Sequence, residues 1–158
     1  MSQAAATPGP EEALPAEGER LKPVMPYLSF AEDGRPYLAG SRCQSCGQVF
    51  LGRRETCARC AARGRMEAVE LATRGRLYNY TIVYRSLPGV ATPFISAIVD
   101  LDGGGVVKGN LLEVEPTPEK IRFGMAVDMV FRGAETAVAS GAGYLSHFFV
   151  PAREEQAR

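Results

Sequence analysis

The stretch CQSCGQVFLGRRETCARC, from Cys43 to Cys60, decides the fold prediction because it contains all four cysteines of the 158-residue chain. The cysteines form two C-x-x-C pairs. Each pair turns two thiolates to one side of a tight turn, so two pairs can supply the four sulfurs of one tetrahedral zinc site. Gly47 follows the first pair, where such a turn needs an easily reached positive φ. We therefore predict one structural Zn²⁺ per chain, held by four ligands: Cys43, Cys46, Cys57 and Cys60.

Other chemistries of paired cysteines fit this pattern less well. A thioredoxin-like redox centre uses a single C-x-x-C at the start of a helix in a βαβ unit, and no such unit is predicted here. A catalytic zinc keeps one coordination position open, whereas four cysteines close the shell. Iron in a rubredoxin-like shell stays an alternative, although nothing else in the sequence indicates electron transfer. The metal is then expected to stabilise a segment too short to bury a core of its own.

Charge is unevenly distributed along a chain whose formal net charge is zero. Residues 1–34 carry six acidic and two basic side chains, whereas residues 42–85 carry nine arginines and three acids. The arginine-rich block favours an anionic ligand or an acidic protein surface as its partner, with a solvated basic face as the alternative. The whole-chain pI of 6.6 is well below the value of about 9 expected of a basic nucleic-acid domain.

The N-terminal region predicts a cytoplasmic location. Residues 1–22 are rich in Ala, Pro and Glu and are predicted to be a disordered tail. They have neither the basic region nor the apolar core of a signal peptide, and no apolar run approaches the roughly 20 residues that span a bilayer. Four cysteines in such a protein indicate metal binding before disulfides. Residues 24–40 carry too many apolar groups to remain in water and should pack on the chain or on a partner.

The region after the cysteines has the period-two pattern of β-strands. Residues 67–86 predict one long strand bent at Gly75, with Leu77, Asn79, Thr81 and Val83 on one face and Tyr78, Tyr80, Ile82 and Tyr84 on the other. Further strands are predicted at 94–101, 106–114, 125–132 and 143–152, with a hairpin turn at DGGG and a helical turn or loop at 117–124. Five strands with almost no helix favour an OB-type barrel, with a small sandwich as the alternative.

No catalytic set stands out in the sequence. The cysteines are assigned to the metal, and the single histidine, His147, lies inside a predicted strand, where a structural role is more common. The glycine run Gly103–Gly105 lies in a predicted hairpin, so it is interpreted as a turn and not as a phosphate-binding loop. Two functional classes remain: a single-stranded nucleic-acid-binding module, and a binding subunit for a phosphorylated ligand.

The order of these parts resembles a family of acyl-CoA-associated proteins, formerly of unknown function, that join a rubredoxin-like zinc ribbon to an OB-fold. The resemblance covers residues 37–152, and its most specific pieces are RCQSCGQVFLGRRETCARC and GRLYNYTIVYR. KGNL (108–111), RFGMAVDMVF (122–131) and FVPA (149–152) also match. The chain departs from the family after Phe50, where Leu51, Gly52 and Arg53 stand in place of the usual prolines.

The composition, the strand pattern and this resemblance together predict a mainly β protein with five parts. They are a disordered tail (1–22), a docking arm (23–40), a zinc ribbon (41–66), a five-stranded OB-fold domain (67–152) and a tail (153–158). The resemblance also implies a non-catalytic accessory subunit in a hetero-oligomer with a thiolase-superfamily subunit, with no membrane partner and with nucleic acid disfavoured as a partner. Such a subunit helps to bind an acyl-CoA and completes the partner's active site in acyltransferase-type complexes. Examples are a 3-oxoacyl-CoA or 2-benzoylsuccinyl-CoA thiolase, or a retro-aldolase of steroid side chains.

The arginine block is the expected binding site for the phosphates of CoA, because arginine pairs with phosphate oxygens in a bidentate way. A cleft between two rigid parts is the usual ligand site, so we expect CoA between ribbon and barrel. The alternative is that the aromatic residues form the barrel core while the arginines face water or the partner. The candidate residues are Arg53, Arg54, Arg74, Arg76, Arg85, Tyr80, Tyr84 and Phe94.

Overall fold

The computed structural model describes residues 21–134 and 143–153, and this part of the chain is built of strands and turns. Its ten strands are β1 (Lys22–Pro23), β2 (Leu28–Phe30), β3 (Pro36–Cys43), β4 (Val49–Leu51), β5 (Met66–Glu70), β6 (Arg74–Val83), β7 (Phe94–Leu101), β8 (Val106–Leu111), β9 (Ala126–Ala134) and β10 (Tyr144–Pro151). Within the described residues, no helix has the length and apolar character needed to cross a membrane. Nearly all of the two predicted tails, residues 1–20 and 154–158, lies outside the described residues.

Strands β6 to β10 close into the five-stranded barrel that the sequence predicted. Strands β6, β7 and β8 form an antiparallel meander, β10 runs parallel to β8, and β9 closes the barrel by pairing with both β10 and β6. The β7–β8 hairpin turns at Gly103–Gly105, three glycines with φ of 77°, 102° and 96°. Three successive positive φ values explain why glycine occupies each of these positions.

The prediction of one strand across residues 67–86 is wrong in two respects. The chain breaks after β5, and β5 belongs to a different sheet from β6. A β-bulge between Leu77 and Asn79 then leaves Tyr78 unpaired with β7. Because a bulge adds one residue to one strand, it shifts the alternation of faces. Leu77, Tyr80 and Ile82 therefore all pack on the core, although simple alternation had placed Leu77 on the opposite face from the other two.

A smaller sheet of β2, β3, β4 and β5 packs on the barrel and shares its core. Strand β3 is central, with β5 along one side and β2 and β4, one after the other, along the opposite side. Leu28, Leu38 and Val49 from this sheet belong to the same hydrophobic cluster as the barrel residues. Val49 reaches the β7–β8 hairpin, since a Cβ on Gly104 would lie 3.2 Å from it. The predicted boundaries between arm, ribbon and barrel remain predictions.

His147 lies on β10, where it links three parts of the fold. Its Nε2–H donates to the carbonyl oxygen of Lys108 on β8 at 2.8 Å, and its ring meets Tyr27 edge-on at 6.3 Å. The other ring nitrogen, Nδ1, is buried and has no hydrogen-bond partner among the described residues. Burial lowers the pKa of His147, and the bond to Lys108 only partly opposes this effect. The folded protein therefore holds the neutral imidazole.

Stability should therefore fall on acidification, because the unfolded chain takes up a proton on His147 that the folded chain resists. The contribution of the neutral ring is fully present above the unfolded pKa of about 6.5, and it is lost as pH falls toward the lowered folded pKa. In His147→Gln this pH-dependent contribution to the free energy of unfolding should disappear. Urea unfolding of both proteins at pH 7.5 and pH 5 measures it. Acid effects on the cysteines are common to both proteins, so equal pH dependence in the two would contradict the prediction.

Candidate metal centre and anion-binding residues

The two C-x-x-C pairs fold into matching turns at one end of the smaller sheet. In the first turn the amide of Gly47 donates to the carbonyl of Cys43 at 2.8 Å. In the second turn the amide of Ala61 donates to the carbonyl of Cys57 at 2.9 Å. The residue after each pair has positive φ, 74° at Gly47 and 60° at Ala61. Gly47 indicated the first turn in the sequence, whereas Ala61 did not indicate the second turn.

The four sulfurs converge on one point. All four Sγ atoms lie within 4.8 Å of one another, and the Sγ–Sγ distances are 3.7 Å for Cys43–Cys60 and 3.6 Å for Cys46–Cys57. A disulfide needs about 2.05 Å between sulfurs. Tetrahedral zinc with bonds of about 2.3 Å holds its sulfurs about 3.8 Å apart. The cluster therefore has the dimensions of a metal site and not of two disulfides.

Hydrogen bonds at the cluster favour thiolates. Burial raises the pKa of Cys43, but the amides of Cys46 and Ser45, followed by the neighbouring thiols, outweigh it and lower the pKa to about 6. The pKa of Cys57 is also lowered: burial opposes the shift, while the amides of Cys60 and Arg59 support it. These amides stabilise negative charge on sulfur, as the ligands of a bound dication require.

In the same cluster, the neighbouring sulfurs oppose deprotonation of Cys60 when no cation is bound. The amide of Ala62 lowers the pKa of Cys60, but the Cys46 thiol, burial and the other thiols together raise it to about 12. The last proton is therefore hard to remove while the other sulfurs are charged. A dication reverses this balance, because it stabilises all four thiolates at once.

Arg53 and Arg54 lie in a groove on the smaller sheet. The hydroxyl of Ser41 donates to the carbonyl of Gly52 at 2.9 Å and accepts from the amide of Arg54 at 3.1 Å, so one buried serine fixes this loop. The guanidinium of Arg54 lies 4.7 Å from the centroid of the Phe50 ring. The groove has a volume of about 440 Å³ and is lined by Ser41, Arg53, Arg54, Glu55, Met66 and Ala68. An adjoining groove of about 450 Å³ shares Arg54, Glu55 and Met66 and adds Arg63, which sequence reasoning had not selected.

This arginine groove opens on the face of the smaller sheet that is turned away from the barrel. Strand side chains alternate between faces, so Gly40 and Ser41 point in opposite directions. A Cβ on Gly40 would meet the side chain of Leu71, a member of the shared core, at 2.5 Å. Ser41 therefore faces outward, together with its cross-strand neighbour Ala68. The expected position of these arginines between ribbon and barrel is not where the structure places them.

Arg74 and Arg76 occupy the junction of β6 and β9, where both make hydrogen bonds. Arg74 forms a bidentate pair with Asp128, with Nε–Oδ1 at 2.8 Å and Nη2–Oδ2 at 3.4 Å. Arg76 donates from Nη1 to the carbonyl of Gly124 at 3.1 Å. Both side chains are thus used to tie β6 to the segment that closes the barrel.

The remaining candidates lie at the far end of β6. Tyr84 and Arg85 are exposed just beyond the strand, and Phe94 is half-buried opposite Val83. Tyr80 is half-buried and contacts the ring of Phe123 at 5.3 Å between centroids. At about 3.3 Å per residue, the strand puts roughly 30 Å between Arg74 and Val83, and Arg85 lies beyond Val83. The eight candidates therefore form three separate groups, and Phe123 is a neighbour that its predicted loop position had not revealed.

Comparison with known proteins identifies a matching family and several relatives of this chain. The family of the ChsH2 C-terminal OB-fold domain matches residues 68–132. The chain is similar to a DUF35 domain-containing scaffold protein of Pyrococcus furiosus, with 34% identity over 117 residues, which is 73% of this chain and 82% of the relative. It is also similar to the benzoylsuccinyl-CoA thiolase subunit BbsA of Geobacter metallireducens, with 41% identity over 70 residues, 44% of this chain and 47% of that one.

A solved structure has a similar fold. The Ltp2-ChsH2(DUF35) aldolase superposes with a TM-score of 0.55 at 25% identity, covering 73% of this chain and 84% of that chain. This likeness and the match to the OB-fold family agree with the closed barrel. The resemblance found in the cysteine spacing and the first barrel strand is confirmed: the chain belongs to the DUF35 family.

Proposed function

We propose that this chain is a zinc-binding accessory subunit of a thiolase-type enzyme complex and helps to hold the CoA part of an acyl-CoA substrate. The observation that carries the proposal is the similarity to a protein named as a benzoylsuccinyl-CoA thiolase subunit. The solved neighbour, titled as an Ltp2-ChsH2(DUF35) aldolase, supports the same kind of assembly. A 3-oxoacyl-CoA or 2-benzoylsuccinyl-CoA thiolase, or a steroid side-chain retro-aldolase, would each suit such a subunit in the cytoplasm.

The chemistry of the described residues supports a role that depends on a partner. Nucleophilic catalysis needs a nucleophile within reach of a base. The cysteines are gathered into one cluster, and the single histidine is buried with Nε2 bonded to a backbone carbonyl. Neither arrangement offers a nucleophile and base to a substrate. The reacting groups would then belong to the thiolase-superfamily partner.

Among the CoA candidates, the groove of Arg53 and Arg54 best suits phosphate groups. Two neighbouring guanidinium groups can each make paired hydrogen bonds to phosphate oxygens. Arg74 and Arg76 are already bonded to Asp128 and Gly124, so a phosphate would have to compete for them. Tyr84, Arg85 and Phe94, with Tyr80 behind them, would form a second contact area for the ligand or the partner.

Single-stranded nucleic-acid binding stays the alternative function. Exposed Tyr84 and Phe123 on an OB-type barrel could stack bases, with Arg85 nearby. The pI of 6.6 does not support a nucleic-acid surface. Binding of CoA esters and of a 20-nucleotide oligo-dT, measured side by side, distinguishes the two functions.

The metal proposal predicts one Zn²⁺ per chain, with four Zn–S distances of about 2.3 Å in X-ray absorption. Cys43→Ser or Cys57→Ser should lose the metal and deprotect the amides of residues 40–66 to hydrogen exchange, because the two turns are then no longer joined. Ser45→Ala, an exposed change within the first turn, is the matched control and should keep the zinc. Zinc-free protein with unchanged exchange in this region would refute the proposal.

The subunit proposal predicts that the isolated chain neither cleaves nor forms a 3-oxoacyl-CoA. Co-expression with thiolase-superfamily subunits should give a complex that co-elutes on size exclusion and has higher thiolase-type turnover than the partner alone. In that complex His147→Ala should lower stability without removing turnover. Turnover by the isolated chain that His147→Ala abolishes would show instead that this chain is itself catalytic.

The groove proposal predicts that Arg53→Ala and Arg54→Ala each raise KM for the CoA ester in the reconstituted complex. A charged hydrogen bond contributes roughly 1.5–3 kcal/mol, so the expected increase is about tenfold or more. Arg65→Ala is the control, since Arg65 is exposed on the same ribbon and does not line the groove. If Arg53→Ala and Arg54→Ala both keep the KM of the unmodified complex, the groove is a solvated basic surface.

A further inference from the structure

Strand β6 has an open edge along its second half. It pairs with β9 only from Arg74 to Arg76, and Leu77 then exchanges hydrogen bonds with Met125 and Gly124. Strand β9 begins at Ala126, so it does not reach the part of β6 beyond Leu77. Among the described residues, no strand lies beside residues 78–83 on the side of β6 opposite β7.

The backbone groups on this edge point outward. The amide of Tyr80 is satisfied by the side-chain oxygen of the preceding residue, Asn79, at 2.8 Å, so it does not point toward β7. Backbone groups of an antiparallel strand alternate in direction, so those of Ile82 point the same way as those of Tyr80. Outside the β6–β7 ladder, the described residues provide no hydrogen bond to Ile82. Such a row of free groups is a template for an added strand.

Large apolar side chains surround the open edge. The side chain of Tyr78 is 64% exposed and that of Phe123 is 68% exposed. The ring of Phe123 also contacts the ring of Tyr80. At the end of β6, Tyr84 is 65% exposed and Leu87 77% exposed. We call this surface the β6 edge: backbone 78–84 with the side chains of Tyr78, Tyr84, Leu87, Val90 and Phe123. A concentration of exposed apolar groups marks an interaction site, whereas single ones are ordinary.

The charge of the β6 edge is of one sign. Residues 76–94 and 121–125 together contain three arginines, Arg76, Arg85 and Arg122, and no acidic residue. A partner that covers this surface should therefore carry acidic side chains. A second copy of this chain suits it poorly, since a two-fold contact between identical edges would bring the same arginines together. Nucleic acid would use the aromatic rings and the arginines, but it would leave the row of backbone groups unpaired.

We propose that an extended segment of the thiolase-type partner subunit adds to the β6 edge as a further β-strand. This inference rests on the function proposed above. About six residues would pair with residues 78–83, with Ile82 exchanging backbone hydrogen bonds with the segment. Apolar side chains of the segment would cover Tyr78 and Phe123, and acidic ones would face Arg85 and Arg122. The Asn79 side chain caps the Tyr80 amide in the free subunit and would give way to the incoming strand.

The test uses the full chain and its co-expressed thiolase-superfamily subunit. The triple variant Tyr78→Ser, Leu87→Ser, Phe123→Ser should bind the partner at least tenfold more weakly, and Arg85→Glu should weaken binding in a salt-dependent way. Val106→Ser is the matched control: Val106 is 56% exposed but lies at the opposite end of the β7–β8 hairpin, paired with Asp100. In hydrogen exchange, the amides of Tyr80 and Ile82 should become protected in the complex.

Each outcome supports or overturns the proposal. If the unmodified chain binds none of these subunits, both the proposed function and this inference fail. If it binds, but the triple variant binds equally well and both amides stay unprotected, only the inference fails. Dimerisation of the free chain that the triple variant abolishes would assign the β6 edge to a second copy. Binding of oligo-dT that the triple variant abolishes would assign it to nucleic acid.

Discussion

The packing of Val49 and Leu71 against the β7–β8 hairpin of the barrel is the constraint on which the rest of the structure depends. A Cβ on Gly104 would lie 3.2 Å from the side chain of Val49, and a Cβ on Gly105 would lie 3.5 Å from that of Leu71. This contact joins a sheet too small to bury its own core to the core of the barrel. It also settles which face of the sheet is outward. The groove of Arg53 and Arg54 opens to solvent because the opposite face is buried.

The parts of the fold that sequence predicted well are those specified by short-range chemistry. The cysteine spacing gave the four residues of the cluster, and glycines with alternating strands gave the β7–β8 hairpin. The failures occurred where a single residue changes the register. The bulge at Tyr78 reverses the faces of the following residues, and the break at Leu71 sends β5 to the smaller sheet. Neither position carries a glycine or proline that would mark it.

The arginine block shows why charge in sequence does not locate a site. Arg74 and Asp128 are 54 residues apart in the chain but directly opposite each other in β6 and β9, so their pairing follows from barrel closure. Arg53 and Arg54 take their positions from the hydroxyl of Ser41, which no charge pattern reveals. Similar residues thus have different roles: one group ties strands together and the other lines a groove. Only the register of the strands shows which arginines tie strands together and which line the groove.

The strand register also keeps apart the two proposed binding surfaces, which are the groove of Arg53 and Arg54 and the β6 edge. The β7–β8 hairpin touches the smaller sheet near Leu101–Gly105, whereas the β6 edge lies near Phe94, at the other end of β7. Seven residues of extended strand put roughly 25 Å between these ends. Contacts so far apart, with no shared residue, contribute to binding almost independently. The proposed accessory subunit would then hold its partner by the barrel while the smaller sheet presents arginines to a ligand. The rigid shared core fixes the distance between the two surfaces, which explains why the smaller sheet is packed onto the barrel and not joined to it by a linker.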